Sequence, residues 1–211
     1  MRCSRSIRDR QGNGMTLVNR TTGEILCKLV YYGPAGAGKS RNLRYVFDEL
    51  PNGRRGEGAA IESTEERPLL FEYLPLELGP IASFHTRLQL YAAPAAEFFG
   101  ATRKHVLQGV DGMIFIADSR REAAADNLAS LKRLHLDLAD MGMDPAEMPT
   151  VFQYNKRDLA ERELQPLDEL DDLLNFRSLP AFPASAITGT GVFQTLRGAA
   201  ELVLRNAARS G

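Results

Sequence analysis

The chain has 211 residues, of which 44% are hydrophobic and 25% charged, and its net charge is -1. This length fits one α/β domain, and the near-neutral charge gives no reason to expect nucleic acid or an anionic membrane surface as a partner. No apolar run is long enough to span a membrane, no lipidation motif indicates a membrane anchor, and the two cysteines, Cys3 and Cys27, favour a reducing cytoplasm over a disulfide framework.

The N-terminal segment contains four arginines within residues 1–14 and no apolar stretch, so it is not a secretory signal. We interpret residues 1–14 as a disordered tail or as the product of a mis-assigned start codon, because Met15 opens a strand-forming sequence. Residues 15–211 are then predicted to form a single domain.

Apolar runs alternate with helical patterns along the rest of the chain, which is typical of βαβ proteins with a mainly parallel sheet. Strands are predicted at residues 25–32, 69–78, 81–91, 112–118, 150–155 and 181–184. A hairpin turn is predicted at Gly79 and Pro80, between the second and third of these strands. Helices are predicted after residue 40 to about residue 50, then after residue 96 to about 108, and at 120–141, 164–174 and 190–208.

Residues 33–40 (GPAGAGKS), here termed the phosphate loop, match the pattern G-x-x-x-x-G-K-[ST] between a predicted strand and a predicted helix. In such a loop the backbone N–H groups turn inward and cradle phosphates, helped by the positive end of the helix. Lys39 would neutralise the β and γ phosphates, and the Ser40 hydroxyl would be a ligand of Mg²⁺. The predicted phosphate-binding residues are Gly33, Gly36, Ala37, Gly38, Lys39 and Ser40.

Residues 155–158 (NKRD), here termed the base loop, follow the predicted strand 150–155 and indicate guanine as the base. The Asp158 carboxylate can accept both the ring N–H and the exocyclic amine of guanine, whereas adenine would leave it unpaired. Asn155 would brace the loop, and the aliphatic part of Lys156 would lie over the base. After the last strand, Ser185, Ala186 and Ile187 resemble the S-A-x segment whose backbone N–H contacts the guanine carbonyl.

These segments together resemble the MglA-type small GTPases of bacteria, which are Ras-like switches of cell polarity and gliding motility. The resemblance covers about residues 22–207 and is carried by residues 30–34 (VYYGP), 42–43 (NL), 71–76 (FEYLPL), 103–104 (RK), 109–112 (GVDG), 115–119 (FIADS) and 155–159 (NKRDL). It implies one small-GTPase domain with the α/β Ras-like P-loop NTPase fold, a central, mostly parallel sheet flanked by helices. It also implies GTP or GDP with Mg²⁺ as ligands, and a roadblock-fold regulatory protein of the MglB type as a partner.

The departures from the family pattern concern the hydrolytic residues. The family has a glycine and a water-orienting glutamine just after the strand that is predicted here at residues 81–91. This chain has Ala95 and Ala96 at those two positions. Where the family has an arginine finger followed by a threonine that senses Mg²⁺, the chain has Arg67 and Pro68, so only the arginine is a candidate catalytic residue. Ala35 replaces a glycine of the phosphate loop. Losing the glutamine alone predicts hydrolysis at or below about 10⁻⁴ per second.

Three functions remain open at this point. The chain is a guanine-nucleotide-binding switch or scaffold with slow or absent hydrolysis, or a working GTPase activated in trans by a roadblock-type partner, which the presence of Arg67 favours. The third is a P-loop kinase or ATPase in which Asp118, at the end of an apolar strand, holds Mg²⁺. Asp118 can equally be a helix cap, and the base loop argues against an ATP enzyme.

The predicted helices also carry acidic residues with no assigned role. Leu128, Leu131, Leu134 and Leu138 recur at helical spacing and form a predicted core stripe. The aspartates nearby and in the following helix are expected on solvated faces: Asp137, Asp140, Asp144, Asp168, Asp171 and Asp172.

Overall fold

A computed structural model describes residues 17–19, 23–56, 72–81, 84–96 and 99–209. Residues 1–14, together with the candidate Arg67 and its neighbour Pro68, lie outside the described residues. The strands are β1 (Leu17–Asn19), β2 (Glu24–Tyr32), β3 (Glu72–Ile81), β4 (Phe84–Ala92), β5 (Gly112–Asp118), β6 (Thr150–Asn155) and β7 (Ala181–Pro183). The α-helices are α1 (Lys39–Glu49), α2 (Gly100–Leu107), α3 (Ala124–Asp140), α4 (Leu167–Leu174) and α5 (Val192–Arg209).

The strands form one sheet in the order β3-β4-β2-β5-β6-β7, with β1 paired to β2. Strands β4, β2, β5, β6 and β7 run parallel to one another, whereas β3 is antiparallel to β4 and β1 is antiparallel to β2. Helices α1 and α5 contribute to the core on one face, and α2, α3 and α4 contribute to the core on the other. The predicted α/β class, with a central, mostly parallel sheet flanked by helices, is confirmed.

The central strands are apolar on both sides because helices cover both faces of the sheet. Every residue of β5 and β6 is buried. In β2, side chains alternate between the two cores, so that Leu29 and Tyr31 pack with one cluster and Val30 and Tyr32 with the other. All the parallel strands of the centre end at the same edge of the sheet, which is where ligands bind in folds of this kind.

The hairpin between β3 and β4 forms as predicted, but its predicted turn is wrong. Gly79 and Pro80 lie within β3, opposite Thr86 and His85, and the strand continues to Ile81. The pairing register shifts between Glu77 and Gly79, and this bulge absorbs one residue so that pairing resumes beyond it. A proline is compatible with this position because β3 is the first strand in the sheet order, and a strand at the edge of a sheet tolerates a residue that has no backbone N–H.

The prediction that Asp137 lies on a solvated helix face is also wrong. Asp137 is only 4% exposed, and its Oδ2 accepts hydrogen bonds from Arg103 Nε at 3.1 Å and from the Tyr32 hydroxyl at 3.0 Å. The burial is possible because Arg103, itself 3% exposed, neutralises the carboxylate. This buried pair joins α2 to α3 and to the residue that precedes the phosphate loop.

The other aspartates named in the sequence analysis follow the prediction more closely, although Asp144 lies just after α3 and not within a helix. Asp171 is half-buried and accepts the Tyr154 hydroxyl at 2.5 Å. Asp140, Asp144, Asp168 and Asp172 are exposed, and Leu131, Leu134 and Leu138 are buried as predicted. Within the described part of the chain, no helix combines the length and the apolar character needed to cross a membrane.

Candidate functional site

The phosphate loop connects the carboxyl end of β2 to the first turn of α1, and two of its glycines are fixed by close contacts. A Cβ on Gly33 would lie 2.2 Å from the carbonyl oxygen of Ile116, and one on Gly38 would lie 2.3 Å from Asn155 Nδ2. Both residues also have positive φ, 150° and 104°. Only glycine fits these positions without displacing a neighbouring strand, so the loop is held tightly against β5 and β6.

The side chain of Lys39 turns back onto the phosphate loop. Its Nζ donates to the carbonyl oxygens of Gly33 at 2.7 Å and Pro34 at 2.8 Å, and the residue is 9% exposed. Burial lowers the pKa of Lys39 to about 8, although the charge of Glu72 at the start of β3 opposes the shift. An anion bound in the loop would favour the charged ammonium and reverse this shift.

Ser40, the candidate Mg²⁺ ligand, is exposed in the first turn of α1. The described residues contain no group of three or more His, Cys, Asp or Glu side chains arranged to hold a metal ion. Mg²⁺ at a nucleotide site is commonly bound by one or two protein oxygens, with the rest of its shell made of phosphate oxygens and water. A hydroxyl beside a phosphate-binding loop supplies one such oxygen, and the carboxylate of Glu72 lies near the same loop.

Asn155 joins the three candidate segments. Its Nδ2 donates to the carbonyl of Ala37 in the phosphate loop at 2.7 Å, and its Oδ1 accepts the backbone N–H of Ala186 at 2.9 Å. The residue is 2% exposed, so both bonds are shielded from water. The Asn155 side chain therefore links the phosphate loop to the segment that follows β7.

Two buried side-chain amides, those of Gln153 and Asn42, also support the phosphate loop. The sequence analysis did not predict this role. Gln153 Nε2 donates to Asn42 Oδ1 at 2.8 Å, and Asn42 Nδ2 donates to the carbonyl of Gly38 at 2.9 Å. Both side chains belong to fully buried residues. A glutamine inside a buried apolar strand was the available signal, because a buried amide requires a partner.

The base loop begins at the end of β6 and is fixed from both sides. Arg157 donates its backbone N–H to the carbonyl of Ala184 at 2.9 Å, which ties the loop to the end of β7. Asp158, the predicted guanine reader, is exposed, whereas Lys156 takes up a left-handed backbone conformation with φ 68°. The loop thus leaves the Asp158 carboxylate at the surface of the site.

The segment after β7 has one buried face and one exposed face. Ser185 is 2% exposed, and its hydroxyl accepts the N–H of Thr188 at 3.2 Å, while Ala186 is 3% exposed. Ile187 is 63% exposed. The Ser185 hydroxyl therefore stabilises the turn, whereas the backbone N–H of Ala186 is hydrogen-bonded to Asn155 Oδ1.

Asp118, at the end of β5, is only 2% exposed and is bound by two basic side chains. Burial favours a raised pKa for Asp118, but hydrogen bonds from Arg120 and Lys156 outweigh it and lower the pKa below its ordinary value. Asp118 does not cap the N-terminus of α3. Its carboxylate instead accepts a hydrogen bond from the backbone N–H of Arg120 at 3.1 Å. With both oxygens engaged by cations, Asp118 is a poor candidate for a Mg²⁺ ligand, which weakens the kinase or ATPase hypothesis.

The segment after β4, residues 93–96, is anchored at both ends. Ala93 donates its N–H to the carbonyl of Tyr31 at 2.9 Å, and the carbonyl of Ala96 accepts a hydrogen bond from Arg103 Nη1 at 2.7 Å. Neither Ala95 nor Ala96 has a side chain that can hydrogen-bond to water. The carbonyl oxygen of Ala96 already accepts one hydrogen bond, from the buried Arg103.

No protein-family model matches the chain. The chain is similar to the "Mutual gliding-motility protein MglA" of Myxococcus xanthus (strain DK1622), with 42% identity over 197 residues. This alignment covers 93% of the chain and 100% of that protein. The similarity therefore extends over nearly the whole length and is not confined to the short nucleotide-binding motifs.

Proposed function

Because the chain belongs to the MglA family of Ras-like small GTPases, we propose that it binds GTP and GDP with Mg²⁺ as a regulatory switch or scaffold whose hydrolysis of GTP is slow or absent. The observation that carries this proposal is Asn155, whose side chain links the phosphate loop to Ala186 beside the base loop. This link supports a phosphate site and a base site that lie side by side.

The geometry of the base loop supports guanine over adenine. The exposed Asp158 carboxylate can accept the ring N–H and the exocyclic amine of guanine, each as a charge-assisted hydrogen bond. Adenine presents a ring nitrogen acceptor at the same place. The carboxylate would therefore lose its hydrogen bonds to water and gain none from the base. An unpaired polar group of this kind costs about 1–3 kcal/mol or more when charged, which is enough to select against ATP.

Slow hydrolysis is expected from the residues that stand at the hydrolytic positions of the family. Ala96 stands where the family has a water-orienting glutamine, and its methyl group cannot hold water. Its carbonyl is bound to Arg103, and the other end of the segment is bound to β2. A rate at or below the intrinsic scale of about 10⁻⁴ per second is the expected consequence.

The name of the Myxococcus xanthus relative assigns that protein to gliding motility. We carry this over as part of the proposal: the present chain acts in the cytoplasm in a gliding-motility or cell-polarity process. Its expected regulatory partner is a roadblock-fold protein of the MglB kind.

A second candidate function is a GTPase activated in trans by such a partner. Arg67 is the residue that favours it, since an arginine finger retained in the absence of the glutamine still has a use if the partner orients the water. Addition of the partner would then raise the hydrolysis rate, whereas the first candidate predicts no change.

The nucleotide site is tested by competition against fluorescent GDP and by one substitution. GTP and GDP are expected to displace the probe, whereas ATP is not. Asp158→Asn is expected to weaken GDP binding about tenfold or more and to favour xanthosine diphosphate, because the asparagine amide can donate to the carbonyl of xanthine. Asp168→Asn, an exposed aspartate of α4, is the matched control. Equal displacement by ATP and GTP would contradict the proposal.

A further inference from the structure

Asp118 is the most heavily bonded carboxylate near the base loop, and the sequence analysis gave it no role in recognising the base. We infer that Asp118 is a positioning residue for guanine binding: it anchors the ammonium group of Lys156 so that the aliphatic part of that side chain is fixed across the base site. This inference rests on the proposed function, which it deepens.

The anchor joins the ends of two adjacent parallel strands. Asp118 and Asn155 are register partners at the carboxyl ends of β5 and β6, and Lys156 directly follows Asn155. Lys156 Nζ donates to Asp118 Oδ2 at 2.7 Å. The four-carbon chain of Lys156 therefore spans from one strand end to the next, at the edge of the sheet where such folds bind ligands.

The anchoring carboxylate is itself immobilised. Arg120 donates through Nη2 to Asp118 Oδ2 at 2.8 Å, through Nε to both oxygens, and through its backbone N–H to Oδ1. The Asp118 side chain is 2% exposed, whereas those of Arg120 and Lys156 are 36% and 24% exposed. The negative charge is thus held in one place while both cations reach towards the surface.

Such an anchor improves binding because a lysine side chain loses much rotational freedom when it is ordered. If Lys156 is already fixed before the nucleotide arrives, that loss does not oppose binding. Releasing the ammonium should therefore weaken nucleotide binding about tenfold, and mainly through faster dissociation.

The experiment measures the dissociation rate of fluorescent GDP, chased with unlabelled GDP, from four proteins. They are the wild type, Asp118→Asn, Lys156→Met and the double variant. Asparagine keeps the shape of the carboxylate without its charge, and methionine keeps an apolar chain without the ammonium. Each single variant is expected to release GDP about tenfold faster, and the double variant about as fast as the singles.

Two further variants separate positioning from general stability. Glu122→Gln removes another acidic partner of Arg120, an exposed contact, and is expected to leave the rate unchanged. Asp118→Glu keeps the charge and is expected to recover part of the slow dissociation, which a purely structural role of the side-chain shape would not produce. If Asp118→Asn fails to fold, Lys156→Met must still accelerate dissociation by the same factor.

Unchanged dissociation in Lys156→Met, or single effects that multiply in the double variant, would overturn the inference while the proposed function stands. Failure of the wild type to bind GDP at all would overturn the proposed function, and this inference with it.

Discussion

The buried pair of Arg103 and Asp137 yields a sharp prediction about stability. Asp137→Asn removes the charge that neutralises a 3% exposed arginine, and it weakens the bond that also holds the Tyr32 hydroxyl. Breaking a buried ion pair by removing one partner costs about 3–5 kcal/mol, because the remaining charge stays uncompensated. We therefore expect the free energy of unfolding to fall by about 3 kcal/mol or more.

The same two helices supply the control. Lys104 and Asp140 form an ion pair between α2 and α3 at 2.9 Å, but their side chains are 43% and 59% exposed. Asp140→Asn should cost no more than about 1 kcal/mol, because solvent screens such a pair. Both variants are compared by urea unfolding of the nucleotide-free protein, with equal slopes required for the comparison. Equal, small losses in the two variants would refute the reasoning that burial makes the Arg103 pair costly to break.

Three other predictions concern the phosphate loop. Burial lowers the pKa of Lys39 to about 8 in the nucleotide-free protein, and bound phosphate favours the charged form. GDP should therefore bind with its full affinity below that pH, and the affinity should fall as the pH rises through that value. Between about pH 7 and about pH 8.5 the loss should be about fourfold, and calorimetry in two buffers should detect proton uptake on binding; a flat affinity would count against this. Gly38→Ala should abolish nucleotide binding, because the new Cβ would lie 2.3 Å from Asn155 Nδ2 and the backbone φ is 104°. Gly142→Ala is the control and should bind GDP normally, because Gly142 also has a positive φ but faces open space. Asn155→Ala should weaken GDP binding by about tenfold or more through loss of two buried hydrogen bonds, whereas retention of wild-type affinity by titration would show that the brace is dispensable.

The segments whose place in the fold could be predicted from the sequence are those formed by residues that are neighbours along the chain. The phosphate loop and the base loop are short and contiguous, and they lie where the sequence predicts them, between β2 and α1 and after β6; their contacts with a nucleotide stay a prediction. The strands β5 and β6 were equally clear, because burial on both faces leaves a continuous apolar run.

The errors arose where residues distant in sequence determine the outcome. Asp137 is polar, but it lies three residues after Leu134 and next to Leu138, on the edge of the buried stripe of α3. Its burial depends on Arg103, 34 residues away, which a helical pattern does not reveal. The turn at Gly79 and Pro80 failed for a similar reason, because a bulge in β3 and pairing with β4 outweighed the local preference of the two residues for a turn.

The most direct test of the account is a single-turnover assay with the purified full chain. The protein is loaded with GTP and Mg²⁺ in the presence of an equal amount of ATP, and bound nucleotide is followed by chromatography over hours. The account predicts that GTP is retained and hydrolysed at or below about 10⁻⁴ per second while ATP is not bound. Accumulation of GDP much faster than this would contradict it, and would mean that a residue other than Ala96 orients the attacking water.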